Sequence, residues 1–314
     1  MAALSFAAEA NAQTYPSRPI TLIVPFPAGG ATTTLARIVT EHMKTTLGQP
    51  IVVENIGGAS GSIGTTRAAR AAPDGYTLSF GNWASHVGSG AMMPLSFDLQ
   101  ADLAPIVFVA NSPLWIVAKK DLAPRDLKEF IAWLKANPGK ASAATVGVGS
   151  GSHMCGIYLQ NLTGTQFQFV PYRGGAPAMQ DLVGGQVDFM CDFAGNSLPM
   201  ARNGQIKPYA VMAKQRWFAA PEVATFEEVG IPGLVMGFWH GLWAPKGTPA
   251  DVIAKLNGAA RAAFADATVK QRYIDMGQDM PSPAQQTPEA LAAFHKAEIE
   301  KWWPIIKAAN IKVQ

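Results

Sequence analysis

The sequence predicts an α/β protein of two lobes, and three observations carry that expectation. Strand-like runs alternate with helix-like segments along the chain, the pattern of parallel sheets with helices on both faces. The alternation opens with Ile20-Thr-Leu-Ile-Val-Pro-Phe-Pro-Ala-Gly-Gly-Ala-Thr-Thr-Thr-Leu-Ala-Arg37, which reads as a strand, a Gly-containing turn and a helix start. The same plan recurs at Ala143-Ala-Thr-Val-Gly-Val-Gly-Ser-Gly-Ser-His-Met154. Two such turns, one per lobe and facing each other, would line a cleft with helix N-termini, and such clefts are where ligands bind. The 314 residues are enough for two lobes, each with its own core.

Strands are expected at 20–24, 51–54, 77–81, 106–109, 114–118, 143–146, 167–170, 187–192 and 208–212. Helices are expected at 35–47, 63–71, 127–137, 153–162, 177–182, 249–265, 269–276 and 288–308. The first strand is a β-branched run that stops at Pro25. In the first helix Leu35, Ile38, Val39, Met43 and Leu47 make one apolar stripe, so that face belongs to the core. Asn137-Pro138-Gly139 and Gly184-Gly185 are stops. Thr248-Pro249 and Thr287-Pro288-Glu289 each read as a capping threonine followed by proline at the first helical position.

With 48% hydrophobic and 15% charged residues, the composition is that of a compact chain. A net charge of +3 without a Lys/Arg-rich run argues against a nucleic-acid partner. No segment approaches the apolar length needed to span a bilayer. At the N-terminus, residues 2–8 read as the tail of a signal-peptide apolar region, and Ala10-Asn11-Ala12 fits the small-x-small cleavage rule. Residues 1–12 are thus expected to be a signal remnant, with cleavage near Ala12, export to the periplasm and no cysteine for lipid attachment.

The first turn has the chemistry of an anion cradle. A helix start at the C-terminal edge of a sheet presents unpaired N–H groups and the positive end of the helix dipole. No Walker lysine and no GxGxxG is present, so the anion need not be a nucleotide phosphate, and no cofactor is expected. A carboxylate fits this cradle.

Several motifs then coincide: Tyr15-Pro-Ser-Arg-Pro-Ile20, Pro25-Phe-Pro-Ala-Gly-Gly30, Val53-Glu-Asn55, Gly57 with Gly64, Ala72-Pro-Asp-Gly-Tyr-Thr-Leu78, Val170-Pro-Tyr-Arg-Gly-Gly-Ala-Pro177 and Gly184-Gly-Gln-Val-Asp188. Their combination, running from about Tyr15 to the C-terminus, resembles the Bug family, the periplasmic substrate-binding proteins of tripartite tricarboxylate transporters. The resemblance implies a type II periplasmic-binding-protein fold that closes on a small carboxylate and is read by the transporter membrane subunits. It places lobe 1 at 13–111 and 236–314, an inserted lobe 2 at 112–235, and hinge crossings near 110–112 and 235–239. It also implies a monomer, with the carboxylate held by backbone amides and ordered water. The implied ligand contacts in the first lobe are Phe26, Ala28, Gly29, Gly30, Thr32 and Thr33, with Asn82, Trp83, Ser85 and His86 on a second loop. The facing lobe would add Gly149, Ser150, Ser152 and His153, then Tyr172, Arg173 and Gly174, with Asp192 after a later strand.

Two departures from the family pattern bear on the ligand. The usual Asp of the first turn is Thr33, which argues against a ligand ammonium and for a purely anionic ligand. Trp83 stands where small polar residues are common, and its flat face would suit an aromatic dicarboxylate such as terephthalate or phthalate. Aliphatic di- and tricarboxylates are the alternative. Each residue also has a plain structural role open to it: Ser150 and Ser152 as helix caps, His86 and Trp83 as core, Arg173 as a solvated turn, Asp192 as a hinge brace. Trp239 and Trp243 read as hinge packing, and Trp302-Trp303 as packing under the first lobe. Cys155 and Cys191 could be bonded in an oxidising compartment, although two buried free thiols are the simpler account.

An enzyme would need a nucleophile with a base, paired acids or a metal. No GxSxG elbow is present, and His153 and Cys155 are two apart on a helix, where side chains do not face each other. His86, His153 and His240 lack metal-ligand spacing. The reading is a binder, not an enzyme, and sensing for a signalling partner would use the same closure as transport.

Overall fold

The computed structural model describes residues 15–308. The expected signal remnant and its cleavage point lie outside the described residues. The chain begins β1 (Ile20–Val24), α1 (Ala31–Leu47), β2 (Ile51–Asn55), α2 (Ser62–Ala69) and β3 (Thr77–Asn82). A π-helical turn at Ala84–Gly88 and a short α3 (Ser89–Met92) lead into the long β4 (Leu103–Lys119). Then come α4 (Leu127–Ala136), β5 (Ser142–Thr145), α5 (Gly151–Thr163), β6 (Gln168–Pro171) and α6 (Gly175–Val183). They are followed by β7 (Phe189–Phe193), α7 (Ala194–Arg202) and β8 (Ile206–Val211). A return strand β9 (Gly237–Pro245) precedes α8 (Ala250–Ala265), α9 (Ala267–Asp275) and α10 (Pro288–Ala308).

The strands run in the order β2-β1-β3-β9-β4-β7-β5-β6, with β8 also on β4. β1 pairs in parallel with β2 and β3, and β5 in parallel with β6 and β7. The pairings of β4 and β9 are antiparallel, so the sheets are mixed rather than wholly parallel. β4 is the shared strand. Its first part, through Pro113, pairs with β9, and from Leu114 onward it pairs with β7 and β8.

Two expected strands and the crossing between them are thus one element. The residues expected as a bare crossing, Ala110 to Ser112, are themselves paired to His240, Trp239 and Phe238. Register shifts near Pro105 and Phe108 absorb the proline that lacks a ladder donor. β9 was not among the expected strands, because Gly237, Gly241 and Pro245 mask its pattern. The structure shows why those glycines stand there: a Cβ at Gly237 would collide with the Asn111 side chain, and one at Gly241 with the Trp243 ring. α7 was also missed, since Gly195 and Pro199 read as loop. The α8 cap is corrected as well. Pro249 precedes the helix, and Thr248 Oγ1 donates instead to Pro245 O at 2.8 Å. Thr287 does cap α10, accepting from the Ala290 N–H at 3.1 Å.

The α1 stripe is buried throughout, each side chain contributing about 1.5–3 kcal/mol of apolar burial. It packs with β1, β3 and α8 in one core. A second core joins both sheets through Trp83, Trp239, Trp302, Phe130 and Phe189. α10 covers it: Trp302 meets Trp83 edge-on at 5.4 Å, and Trp303 Nε1 donates to Val87 O at 3.0 Å. Cys155 of α5 and Cys191 of β7 form a disulfide, not two free thiols. Helix and strand lie side by side in that core, with the two Cα atoms 6.2 Å apart, within bonding range. Among the described residues no helix is long and apolar enough to cross a membrane.

Candidate functional site

The turn after β1 is shaped by Gly29, whose φ of +87° is a left-handed conformation that suits glycine. Gly30 then precedes α1 in extended conformation and has no side chain to cap it. The first N–H groups of α1 are left facing outward, and the first turn carries no acid. α6 starts after Gly174, at φ +120°, in the same bare manner. α7 starts directly from β7, again without a side-chain cap or a first-turn acid.

These three helix starts line one cavity of about 620 Å³. Phe26, Pro27, Ala28, Gly30, Ala31 and Thr32 come from the β1–α1 corner, and Gly174 and Gly175 from α6. Asp192, Phe193 and Asn196 come from the β7–α7 corner, and Ser112, Phe238 and His240 from the paired β4 and β9. Asn82, Val146 and Gln278 complete the wall, which contains no Lys or Arg. Three helix N-termini supply about half a positive charge each, against one acid in the lining, Asp192 beside α7, so the α1 and α6 starts favour an anion without any basic side chain. Two other hollows, of about 700 and 690 Å³, lie against α8. In the second of them the α8 and α10 starts already hold acids, Asp251 and Glu289, in their first turns. The cleft is the better anion site.

Its polar groups are ordered by one chain of hydrogen bonds. Asn82 Oδ1 accepts from the Ala84 and Ser85 N–H groups at 3.0 and 3.3 Å, which orients its amide. Asn82 Nδ2 then donates to Thr32 Oγ1 at 3.3 Å, and Thr32 Oγ1 lies 3.1 Å from His240 Nε2. Burial lowers the His240 pKa to about 3, so the ring is neutral. Burial also raises the Asp192 carboxyl to about 6, against hydrogen bonding from Ser197, the Phe193 N–H and Asn196.

Of the residues expected at the site, Phe26, Ala28, Gly30, Thr32, Asn82, Gly174 and Asp192 line the cavity, and Gly29 shapes its rim. The others are placed elsewhere. Trp83 is fully buried in the core against Trp302, which removes the flat face expected in the cleft. His86 is fully buried, stacked on Trp243 at 4.0 Å with Ser85 and Ser79 at its nitrogens. Ser85 also bonds the Asn82 backbone, so it shapes the loop and does not face the cavity. Thr33 accepts from Asn55 Nδ2 at 2.7 Å and points toward β2.

The turn before α5 is closed on itself. Ser150 accepts from the His153 N–H, Ser152 from the Val146 N–H, and His153 Nδ1 from the Gly149 N–H. Only Val146 of that turn reaches the cavity, so α6 and α7 take the facing role expected of α5. Tyr172 donates to Asp181 Oδ2 at 2.6 Å, and Arg173 is exposed outside the lining.

Among the residues missed are Ser112, Phe238, His240 and Gln278. They reach the cleft through long-range pairing, Ala110 with His240 and Asn111 with Asp279, which no local pattern reveals. The alternation of Phe238 and His240 on one face of a recognised β9 would have been the available signal.

The family described as Tripartite tricarboxylate transporter family receptor matches residues 35–311. The periplasmic binding protein BugD is 39% identical, with TM-score 0.82, over 96% of this chain and 100% of its own. MatC from Rhodopseudomonas palustris with bound malate is 39% identical, with TM-score 0.82, over 93% of this chain and 100% of its own. Rpa4515 of R. palustris, solved with adipate, is 28% identical, with TM-score 0.83, over 95% and 99%. The strand order, the shared β4 and β9 and the likeness of the whole chain to these structures agree: the chain belongs to the tripartite tricarboxylate transporter receptor family, whose members are two-lobed periplasmic binding proteins.

Proposed function

We propose that the protein captures a small dicarboxylate between two closing lobes and presents it to the membrane subunits of a tripartite transporter. The observation that carries this is the convergence of three helix starts on a cavity without a basic side chain, those of α1 and α6 having neither a side-chain cap nor an acid beside them. One carboxylate sits on the N–H groups of α1, and the other on those of α6 or α7. Lobe 1 comprises 13–111 with 236–314, lobe 2 comprises 112–235, and β4 with β9 is the hinge. Closure removes water and strengthens the N–H contacts, and the closed form is what the transporter recognises. The protein acts in the periplasm as a monomer and performs no chemistry on the ligand. The malate- and adipate-bound relatives support an aliphatic acid of this size.

A second reading, an aromatic dicarboxylate such as terephthalate, loses the support of the buried Trp83. It keeps one observation: Phe193 and Phe238, both in the lining, lie 4.3 Å apart and offer ring surface. A thermal-shift and calorimetric series with succinate, malate, adipate and terephthalate decides between them. A ligand at about 100 times its Kd adds about 2.7 kcal/mol, a shift of several degrees in a chain this size. A shift with the aliphatic acids supports the first reading, and with terephthalate alone the second. No shift with any of the four overturns dicarboxylate capture.

A further inference from the structure

The second half of α10 reaches from lobe 1 to the other lobe. Lys301 Nζ donates to Val235 O at 2.9 Å, and the Trp302 ring meets Tyr158 of α5 edge-on at 5.4 Å. The same ammonium lies 4.8 Å from the Trp302 ring and 6.0 Å from that of Tyr158, within cation–π range. Tyr158 donates through its hydroxyl to Gly233 O at 3.1 Å, which ties α5 to the segment leading into β9. α10 is itself anchored on the hinge strand. Glu298 Oε2 accepts from Trp239 Nε1 at 3.0 Å and from Trp302 Nε1 at 3.2 Å, and Phe294 meets the Trp239 ring edge-on at 5.2 Å.

The two faces of β9 decide what this clasp does. Phe238 and His240 line the cleft, and side chains alternate along a strand, so Trp239 between them points to the opposite side, where it meets α10. Clasp and cleft therefore lie on opposite sides of the β4–β9 hinge. A rotation about that hinge which narrows the cleft pulls the clasp apart. The cleft has room to narrow. A Cβ at Gly29, Gly174 or Gly175 would meet no atom within 4 Å, so the facing turns stand in open space. The cavity of about 620 Å³ between them is enough for about twenty water molecules at about 30 Å³ each.

Resting on the two-lobe closure proposed above, we infer that the α10 clasp opposes closure, so that Lys301 and Tyr158 lower ligand affinity without touching the ligand. Apparent affinity is reduced by the fraction of molecules in the binding-competent form, and a contact made only in the open form reduces that fraction. Both residues are half-buried and neither lines the cleft. The inference has a signature that ordinary structural damage lacks. Loss of a positive charge weakens capture of an anion through Coulomb attraction alone, whereas loss of the clasp strengthens it. Stability and affinity must then move in opposite directions.

The test is calorimetry on the whole protein with succinate, malate, adipate and terephthalate as probes, beside urea unfolding of the free protein. Lys301→Met keeps an apolar stem against Trp302 and removes the donor to Val235 O. It is expected to lower the urea midpoint and yet to bind the best probe about fivefold more tightly or better, the size of one hydrogen bond lost from the open form alone. Tyr158→Ala, which removes the ring contact with Trp302, is a second variant with the same two expected signs. Lys307→Met is the charge control, since that ammonium lies over Trp303 of its own helix at 5.1 Å. It should bind within about twofold of the unaltered protein, because an exposed charge outside the cleft lining is screened by salt. Tighter binding by either clasp variant, with the control unmoved, supports the inference. Affinity unchanged or weakened in both clasp variants overturns it while dicarboxylate capture stands. Equal tightening by Lys307→Met also overturns it, since any lost charge would then suffice. If the unaltered protein binds none of the four acids, both readings fall together.

Discussion

Placing a carboxylate in the α1 start tests the anion cradle with effects of opposite sign on stability and binding. Ala31 is the first residue of α1, exposed and in the cleft lining, so Ala31→Asp introduces the acid without displacing packing. In the free protein the new charge meets the helix dipole, a gain of about 0.3–1 kcal/mol. In the complex it faces the ligand carboxylate. Two like charges about 5 Å apart, at an effective dielectric constant of about 20, repel by about 3 kcal/mol. That is a loss of about two orders of magnitude in affinity. Salt relieves little of it, because a closed cleft lies within a Debye length of about 8 Å and excludes ions. Ala31→Asn is the control for size and hydrogen bonding. The assay is calorimetric titration with the best dicarboxylate, beside thermal melts of the free protein. The expected result is a slightly raised free melting point with binding about a hundredfold weaker than in the Asn control. Affinity within threefold of that control would refute the claim that a ligand carboxylate rests on α1.

Replacing Cys155 and Cys191 together by Ser, or reducing the bond, should cost about 3–4 kcal/mol for a closed loop of 36 residues. Urea unfolding with and without reductant reads it, and an unmoved midpoint would show that the bond is not formed. Trp83→Ala should cost about 3–5 kcal/mol, as for a large core side chain. The milder Trp83→Phe should leave the relative affinities for aromatic and aliphatic acids unchanged, and a changed ranking in calorimetry would return Trp83 to the site. Asp192 has a folded pKa of about 6, above its unfolded value near 3.9, so its favourable share of stability is complete below about pH 4 and is lost as pH rises through 6. Asp192→Asn should therefore stabilise the free protein by up to about 3 kcal/mol at pH 8 relative to its effect at pH 4. The same increment at both pH values in urea melts would contradict this.

The parts of the fold legible in the sequence are those set by local rules. β1 ends where Pro25 forbids continuation, and the α1 stripe shows because its burial follows the helical period. The opening turn was legible for the same reason: two glycines between strand and helix leave a bare helix start. What stayed hidden depends on distant contacts. β9 is a strand because Gly237 and Gly241 let it lie against Asn111 and Trp243, and those glycines are what disguise it locally. His86 resembled a ligand-binding residue in its loop, yet it is held in the core by Trp243 and by His295, whose Nε2 lies 2.6 Å from His86 O. Ser150 and Ser152 turned inward to satisfy their own helix start, a choice that residue type alone does not settle.

The bare cleft and the dense cores are two sides of one arrangement. Unpaired N–H groups and unpaired polar atoms such as Asp192 Oδ2 are each unfavourable by about 1–3 kcal/mol when kept from water. Such a surface persists only if the elements carrying it cannot relax toward one another. β7, which carries Asp192 and leads into α7, is held from behind by the disulfide from Cys191 to α5. Its other flank is held by β4, where Trp115 is registered with Asp192 and donates through Nε1 to Ser197 Oγ of α7 at 2.8 Å. α1 is pinned by its buried stripe and by Thr33 bonded to Asn55. Rigid supports therefore hold donors and acceptors apart, and in the proposed binding mode ligand and lobe closure would complete the hydrogen bonds the fold withholds. In that mode affinity would come from preorganisation rather than from a counter-charge, so the cleft could select an anion with no Lys or Arg in its lining.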